Sequence, residues 1–325
     1  MNNQVWFDAR SLSRGYTTGW ERYVRELVKY LPSLIDLTLW RPNTPNRLTL
    51  LLSDYLNQKS QKDHKVLHYP TYPPALVNKS VKTILTVHDL TWWSYPETSS
   101  FLGKNYYKKN MEKAIKSANL IITPSKSVKN EILNKFNISF EKISQISHGN
   151  SLPPGIIKDS SKPYFLSIGT VEPRKNLDFY SKAIEKSNLL SNFDFYHVGR
   201  IGWGKLPANL KQIIAKNDQD LANLIKNAQA VVLCSKYEGF GLPVLESHAQ
   251  GIPVIMSNVD ALKELSNEQD LIFELNNFDS LIQSLKHFSE NKIILDEKNL
   301  MEAMNATWLK SAQKHVEVYK RLINE

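Results

Sequence analysis

One cysteine in 325 residues, Cys234, excludes an intramolecular disulfide framework and any zinc cage built on thiolates. No apolar run approaches the roughly 20 residues that cross a bilayer as a helix. The opening stretch MNNQVWFDARSL has no charged segment leading into an apolar core of the kind that directs secretion. The eight histidines include no HExxH pair and, without cysteine partners, no zinc spacing. These absences leave a soluble chain, expected in the cytoplasm and at most peripheral at the inner face of the cytoplasmic membrane.

The composition, 42% hydrophobic and 22% charged, supplies enough apolar residues for two cores, and the length predicts two domains. The net charge of +9 is unevenly placed. Residues 1–150 carry 21 Lys and Arg against 11 Asp and Glu, whereas the remainder carries 20 against 21. A basic excess confined to one half points to an anionic partner, with an ordinary solvated basic face as the plain alternative.

Apolar runs of four to six residues alternate with amphipathic stretches. VWFDA (5–9) precedes RYVRELVKYL, TILTVHDL (83–90) precedes NYYKKNMEKAIKSA, and LIITPS (120–125) precedes SVKNEILNKF. The second half continues with YFLSIGT (164–170), FDFYHVG (193–199), AVVLCS (230–235) and PVIMS (253–257). Short strands of this kind between helices predict parallel sheets covered on both faces, in doubly wound α/β domains. HGNSLPPGIIKDSSKPY (148–164) reads as the interdomain linker. A last helix is predicted over 306–323, with Trp308, Leu309, Ala312, Val316, Tyr319 and Leu322 on its apolar face.

The densest chemistry lies in Ser235-Lys-Tyr-Glu-Gly-Phe-Gly-Leu-Pro-Val-Leu-Glu246. A buried-type strand ends here, a loop with Gly239 and Gly241 follows, and Pro243 suits the first turn of a helix. A glycine-containing turn before a helix N-terminus presents backbone N–H groups to an anion such as phosphate. Glu238, before the turn, and Glu246, in the first helical turn, flank that site and can accept hydrogen bonds from sugar and ribose hydroxyls. Asp218-Gln-Asp220 reads as the N-cap of the helix LANLIKNA rather than a metal pair.

On these residues the chain resembles the retaining GT-B glycosyltransferases of the family 4 type. Their signature is a Glu, seven residues and a second Glu around a glycine-rich turn, and EGFGLPVLESHAQGIPVIMSN (238–258) is similar to it nearly throughout. His248 stands where the family usually has an apolar residue, read as packing variation. The segment Tyr164-Phe-Leu-Ser-Ile-Gly-Thr-Val-Glu-Pro-Arg-Lys-Asn176 is similar to the family's first C-domain strand and loop, so Arg174 and Lys175 match its diphosphate-binding cations. His197-Val-Gly-Arg-Ile-Gly-Trp-Gly204 looks like the wall near the nucleobase. Tyr16-Thr-Thr-Gly-Trp-Glu-Arg-Tyr23 looks like the family's glycine loop in the N-domain, although relatives often carry two adjacent glycines there and this chain has Thr18-Gly19. His88 matches a histidine that meets the transferred sugar, with Asp89 either orienting it or capping the next segment.

The resemblance implies two Rossmann-like doubly wound domains facing across a cleft: an acceptor-binding domain over 1–155, a nucleotide-sugar-binding domain over 156–305, and a helix over 306–325 crossing back to the first. It implies His88, Glu238, Arg174 and Lys175 as catalytic residues. Gly19, Gly169, Thr170, Gly199, Arg200, Gly239, Phe240, Gly241, Leu242 and Glu246 would bind the donor. It implies no cofactor and no metal, a hexose from GDP-mannose first and UDP- or dTDP-sugars next, and a glycan or polyprenyl-linked acceptor in surface polysaccharide synthesis. Lysines and aromatics between Trp92 and Lys116 suit contact with an anionic membrane, and no nucleic acid is expected. The sequence leaves three other readings open: a hydrolase using Glu238 and Glu246, a nucleotide-sugar epimerase of the same fold, and a non-catalytic module binding anionic lipid or nucleic acid.

Overall fold

A computed structural model describes residues 4–14, 19–41, 61–74, 80–95, 101–158 and 162–325; the side chains of Arg14 and of 101–107 lie outside the described part. The chain divides into two compact units. One comprises residues 1–149 together with 307–325, and the other comprises residues 150–306.

In the first unit six strands form one parallel sheet: β1 (Val5–Asp8), β2 (Leu37–Trp40), β3 (Val66–Tyr69), β4 (Lys82–Thr86), β5 (Leu120–Thr123) and β6 (Ile143–Gln145), in the order β2-β1-β3-β4-β5-β6. β1, β3 and β5 are buried along their whole length, as strands covered on both faces must be. Between these strands lie the helices α1 (Gly19–Leu34), α2 (Thr91–Ser94), α3 (Phe101–Ser117) and, before β6, α4 (Lys126–Lys135). Ser125 caps α4 by accepting from the Val128 amide.

The second unit repeats the plan with β7 (Tyr164–Ile168), β8 (Asp194–Val198), β9 (Lys211–Ile213), β10 (Val231–Leu233), β11 (Val254–Ser257) and β12 (Leu271–Phe273), ordered β12-β11-β10-β7-β8-β9, all parallel. That order is the dinucleotide-fold arrangement, in which the chain reverses its direction of travel between β7 and β10, and ligands settle beyond the carboxyl ends of the strands at such a reversal. Around the sheet lie α5 (Leu177–Ser187), α6 (Asp218–Lys226), α7 (Leu242–Ala249), α8 (Asp260–Lys263), α9 (Phe278–Glu290) and α10 (Glu297–Asn305). One core, on one face of the sheet, gathers Phe165, Phe179, Tyr180, Phe195, Phe273 and Phe288. The other gathers Leu166, Ile225, Val231, Val244, Val254 and Met256. The short strand β9, Lys-Gln-Ile, is mostly exposed and polar, which is why no apolar run announces it.

The N-cap of α6 is Asn217, and Asp218 and Asp220 both lie inside the first helical turn: the Asn217 side chain accepts from the Asp220 amide at 2.8 Å, and Asp220 accepts in return from the Lys216 amide at 3.1 Å. His248 is a polar node instead of a packing residue. It is buried and its Nε2 lies 3.0 Å from Asp270, whose carboxylate also accepts from the amides of Val254 and Asn267.

The last helix, α11 (Trp308–Asn324), belongs to the first unit and packs on α1 and β3. Its buried face carries Trp308, Ala312, His315, Val316, Tyr319 and Leu322, whereas Leu309 is 40% exposed and does not join it. A chain of hydrogen bonds with one direction fixes the helix. The Ser311 carbonyl can only accept, so His315 Nδ1 donates to it at 2.7 Å and its Nε2 accepts from Tyr23 Oη at 2.7 Å. Tyr23 therefore accepts from Thr86 Oγ1 (3.0 Å), Thr86 accepts from His68 Nε2 (2.8 Å), and His68 Nδ1 accepts from Tyr319 Oη (2.6 Å).

That direction requires neutral imidazoles. Burial lowers His315 to about 4 and pushes His68 well below its ordinary value, with charge repulsion from neighbouring histidines acting the same way. His88 and His148 are lowered by burial as well. Each is a base whose folded pKa lies below 6.5, so the unfolded chain binds protons first as the pH falls. This part of the stability is complete above about pH 6.5 and is lost progressively as the pH falls below it. Melting temperature measured against pH should drop steeply below that value. Tyr23→Phe, which strands His315 Nε2, should cost about 1–3 kcal/mol in denaturant unfolding at neutral pH.

Candidate functional site

The site is assembled from the loops that leave β7 and β10, the two strands flanking the reversal. After β7 come Gly169 and Thr170, then a parallel bridge between Val171 and Ile201, and then a short 3-10 turn over Pro173–Lys175. Pro173 sets the turn and Asn176 ends it in the left-handed conformation before α5 begins. After β10 the chain passes through Ser235 to Glu238 and reaches Gly241, which caps α7 with Pro243 in its first turn. The two loops are joined by the Lys236 amide donating to the Arg174 carbonyl at 2.8 Å.

Four charged side chains then interlock. Lys175 Nζ donates to Glu238 Oε1 at 2.5 Å, and Arg174 Nη1 donates to Glu238 Oε2 at 2.9 Å and to the Tyr237 carbonyl at 2.7 Å. Arg174 Nε and Nη2 both reach Glu172 Oε1, at 3.0 and 2.6 Å. Ser235 Oγ donates to Glu238 Oε1 at 2.6 Å. All four charged groups are at most 14% exposed, so their attraction is little screened by solvent. Burial alone would raise the Glu238 carboxyl; Lys175 and Arg174, with hydrogen bonds from Lys175 and Ser235, outweigh it and hold the group down at about 2. Glu238 is therefore an anion at any working pH. It cannot serve as the proton donor that a glycoside hydrolase requires, since that role needs a raised pKa.

The sequence-predicted residues divide clearly. Arg174, Lys175 and Glu238 meet directly. Gly169 lies under the Lys175 side chain, which crosses the space a Cβ would fill. Gly199 approaches so closely that a Cβ there would sit 1.8 Å from the Gly169 carbonyl. His197 Nε2 donates to that same carbonyl at 2.9 Å. Thr170 and Arg200 touch each other at 3.4 Å. Gly239 and Gly241 lie in the loop; Phe240 is buried in a cluster with Leu245 and Ala303, and half-buried Leu242 packs against it. Glu246 is buried, 3% exposed, and as the fifth residue of α7 it falls just past the first turn.

Two of the candidates belong to the other unit. Gly19 is the first residue of α1; Tyr16, Thr17 and Thr18 lie outside the described residues. His88 follows β4, and its Nε2 donates to the Pro70 carbonyl at 2.7 Å. Its ring stacks on Trp20 and meets Tyr23 edge-on. Burial lowers it to about 4, against weaker opposing effects from Pro70 and Asp89, so at neutral pH its Nδ1 is an acceptor and the ring bears no charge. Asp89 accepts from the Thr91 amide at 2.9 Å, and Leu90 is the N-cap of α2. Sequence reasoning missed Glu172 and Ser235. The only signal for Glu172 was a carboxylate two residues before Arg174.

The ionic cluster should carry stability as well as chemistry. Because the folded pKa of Glu238 is depressed below the ordinary 4.5, its contribution is full above that pH and is lost as the pH falls through about 2. At neutral pH Glu238→Ala leaves two mostly buried cations without their shared anion, and the expected cost is about 3–5 kcal/mol in denaturant unfolding. Combining it with Lys175→Met should recover part of that loss.

Comparison with known proteins places this arrangement. The family model described as Glycosyltransferase Family 4 matches residues 36–151, and that described as Glycosyl transferases group 1 matches residues 152–307. O-antigen chain mannosyltransferase RfbU of Salmonella typhimurium is 28% identical over 190 residues, 54% of this chain and 51% of its own length. O-antigen chain mannosyltransferase B of Escherichia coli is 27% identical over 241 residues, 66% of this chain and 60% of its own. The chain thus spans about half to three-fifths of the length of the curated relatives it matches. Sucrose-phosphate synthase from Thermosynechococcus elongatus has a TM-score of 0.80 at 14% identity, covering 99% of each chain. Anabaena HepE in complex with UDP-glucose has a TM-score of 0.75 at 14% identity, covering 98% of this chain and 99% of its own. The matched segments run without a gap from residue 36 to residue 307, and the chain, with its two parallel-sheet α/β domains of the GT-B class, belongs to the group 1 glycosyltransferases of the family 4 type.

Proposed function

We propose that this chain is a retaining sugar transferase that moves a hexose from a nucleotide-diphosphate donor to a glycan or lipid-linked acceptor in the assembly of a surface polysaccharide. GDP-mannose is the first donor to test, then UDP- and dTDP-sugars, because both curated relatives are named O-antigen chain mannosyltransferases. The observation that carries the reading is the meeting of Arg174, Lys175 and Glu238 at the reversal between β7 and β10.

The chemistry follows from charge. As the bond between the sugar's anomeric carbon and the diphosphate breaks, the leaving group gains negative charge. Arg174, Lys175 and the backbone N–H groups at the start of α7 are suited to stabilise it in place of a metal. Glu246 is assigned to the ribose, and Glu238 to sugar hydroxyls, its carboxylate being ionised and an acceptor only. The Gly19 amide, at the start of α1, is suited to a phosphate oxygen. His88 contributes a neutral Nδ1 acceptor suited to a sugar hydroxyl. In the retaining course the acceptor oxygen bonds to the anomeric carbon on the face the diphosphate leaves, and the acceptor proton passes to the departing phosphate oxygen.

The basic excess of residues 1–150 supports peripheral contact with an anionic membrane through that unit. Part of its aromatic complement is already engaged within the fold: Trp92 is buried, and Trp93 packs on Phe136 with Lys108 Nζ 4.1 Å from its ring. No helix among the described residues is long and apolar enough to cross a membrane.

Melting with GDP, UDP, dTDP and ADP at equal concentration tests the donor site. A nucleotide at 100 times its Kd should add about 2.7 kcal/mol, and no shift with any of them sinks the transferase reading in favour of a binding module. With the donor so chosen, Arg174→Ala should lower turnover about 100-fold or more and donor affinity less, and EDTA should leave turnover unchanged. Donor interconversion without any acceptor would identify an epimerase instead. Flotation with anionic but not neutral vesicles is the result expected of the membrane contact.

A further inference from the structure

We propose that Glu172 is a positioning residue for sugar transfer, and that the loop 199–204 is built to hold it. The inference rests on the transferase reading above and assigns this loop a task besides any contact with the nucleotide.

Arginine is long and flexible, and a guanidinium useful to a diphosphate must present one particular edge. Glu172 Oε1 takes both Nε and Nη2 of Arg174, so rotation about the last bonds of the side chain is stopped. Nη1 is thereby directed to the Tyr237 carbonyl and to Glu238 Oε2. Four of the five guanidinium N–H groups are accounted for in this way. Glu172 itself is 9% exposed, and its carboxylate makes this contact inside the fold.

The backbone that carries Glu172 is clamped from the neighbouring loop. The Val171 amide donates to the Arg200 carbonyl at 2.9 Å, and the Val171 carbonyl accepts from the amides of Gly202 and Gly204 at 3.2 and 3.0 Å. A Cβ at Gly204 would come within 3.1 Å of both N and Cα of Glu172. Glycine at 204 thus lets one loop lie flat against the other at the residue whose side chain holds Arg174. Trp203 and Ile201 point outward, 52% and 51% exposed, so the loop's contribution at this contact is its backbone.

Charge gives the idea a signature. Glu172 and Glu238 together offset the charges of Arg174 and Lys175. Neutralising Glu172 leaves the cluster more positive, which favours a diphosphate anion, while it loosens Arg174, which harms the step in which charge develops. Affinity and turnover should therefore separate, as they would not in a protein that is merely destabilised.

The experiment measures turnover, nucleoside-diphosphate affinity by calorimetry and melting temperature for Glu172→Gln, Glu172→Ala and Gly204→Ala, each alone and with Arg174→Ala. GDP is the first probe, replaced by whichever nucleotide the melting screen selects. Glu172→Gln should lower turnover about 10-fold or more while nucleotide Kd stays equal or tightens by up to about 10-fold. Gly204→Ala should lower turnover without the tightening, because the charge remains. Neither change should reduce turnover further once Arg174 is alanine. Should Glu172→Ala fail to fold, the near-isosteric Glu172→Gln decides. Wild-type turnover in Glu172→Gln, an undiminished effect in the Arg174→Ala background, or turnover and affinity falling together overturns the proposal. A wild-type protein that binds no nucleotide overturns the transferase reading along with it, whereas normal wild-type behaviour with any of those three outcomes overturns the positioning role alone.

Discussion

The carboxylate of Glu238, gripped by Lys175 and Arg174, ties the loop after β10 to the loop after β7. The chemistry of the second unit depends on that tie. Without an anion between them two largely buried cations could not remain side by side, since like charges in a poorly solvated place repel strongly and are costly to desolvate. With it, both side chains are held in place by hydrogen bonds to one carboxylate. The same contact explains why Glu238 is held at about 2 and is confined to accepting hydrogen bonds.

The position of the tie follows from the sheet. All strands of this unit run parallel, and their faces are covered by two cores, which leaves the carboxyl ends of the strands as the place where polar loops can gather. At the reversal between β7 and β10 the following helices pack on opposite faces, α5 in one core and α7 in the other, and the two loops meet at the strand ends. Buttressing extends outward from there: His197 fixes the Gly169 carbonyl, and the 199–204 loop fixes Val171 and Glu172. In the first unit the corresponding precision is spent on α11, whose attachment depends on a hydrogen-bond chain that works only with neutral histidines.

Much of the candidate site was legible because its residues cluster in sequence. Arg174 and Lys175 are adjacent, and Glu238 to Glu246 form one continuous segment with its own turn and helix start. Strand runs such as LIIT and VIMS were legible for a similar reason, since a fully buried parallel strand is apolar at every position. β9 was not, because it is polar and mostly exposed and is recognised only by pairing with β8. The helical spacing of α11 was clear, yet its phase was set by His315, a polar residue that no apolar pattern counts, and Leu309 fell outside it.

The sequence by itself determined the alternation of strands and helices, the glycine-and-proline start of α7, and the presence of two cations and two carboxylates near two strand ends. Local composition and spacing suffice for these, because each depends on residues a few positions apart. Only the tertiary structure decided which carboxylate meets which cation, that His88 spends its proton on Pro70, that Phe240 is buried against Leu245 and Ala303, and that Glu172 holds Arg174. Those choices join residues up to 64 positions apart, as Arg174 and Glu238 are. They are fixed by the distances that packed strands impose, and no sequence window contains those distances.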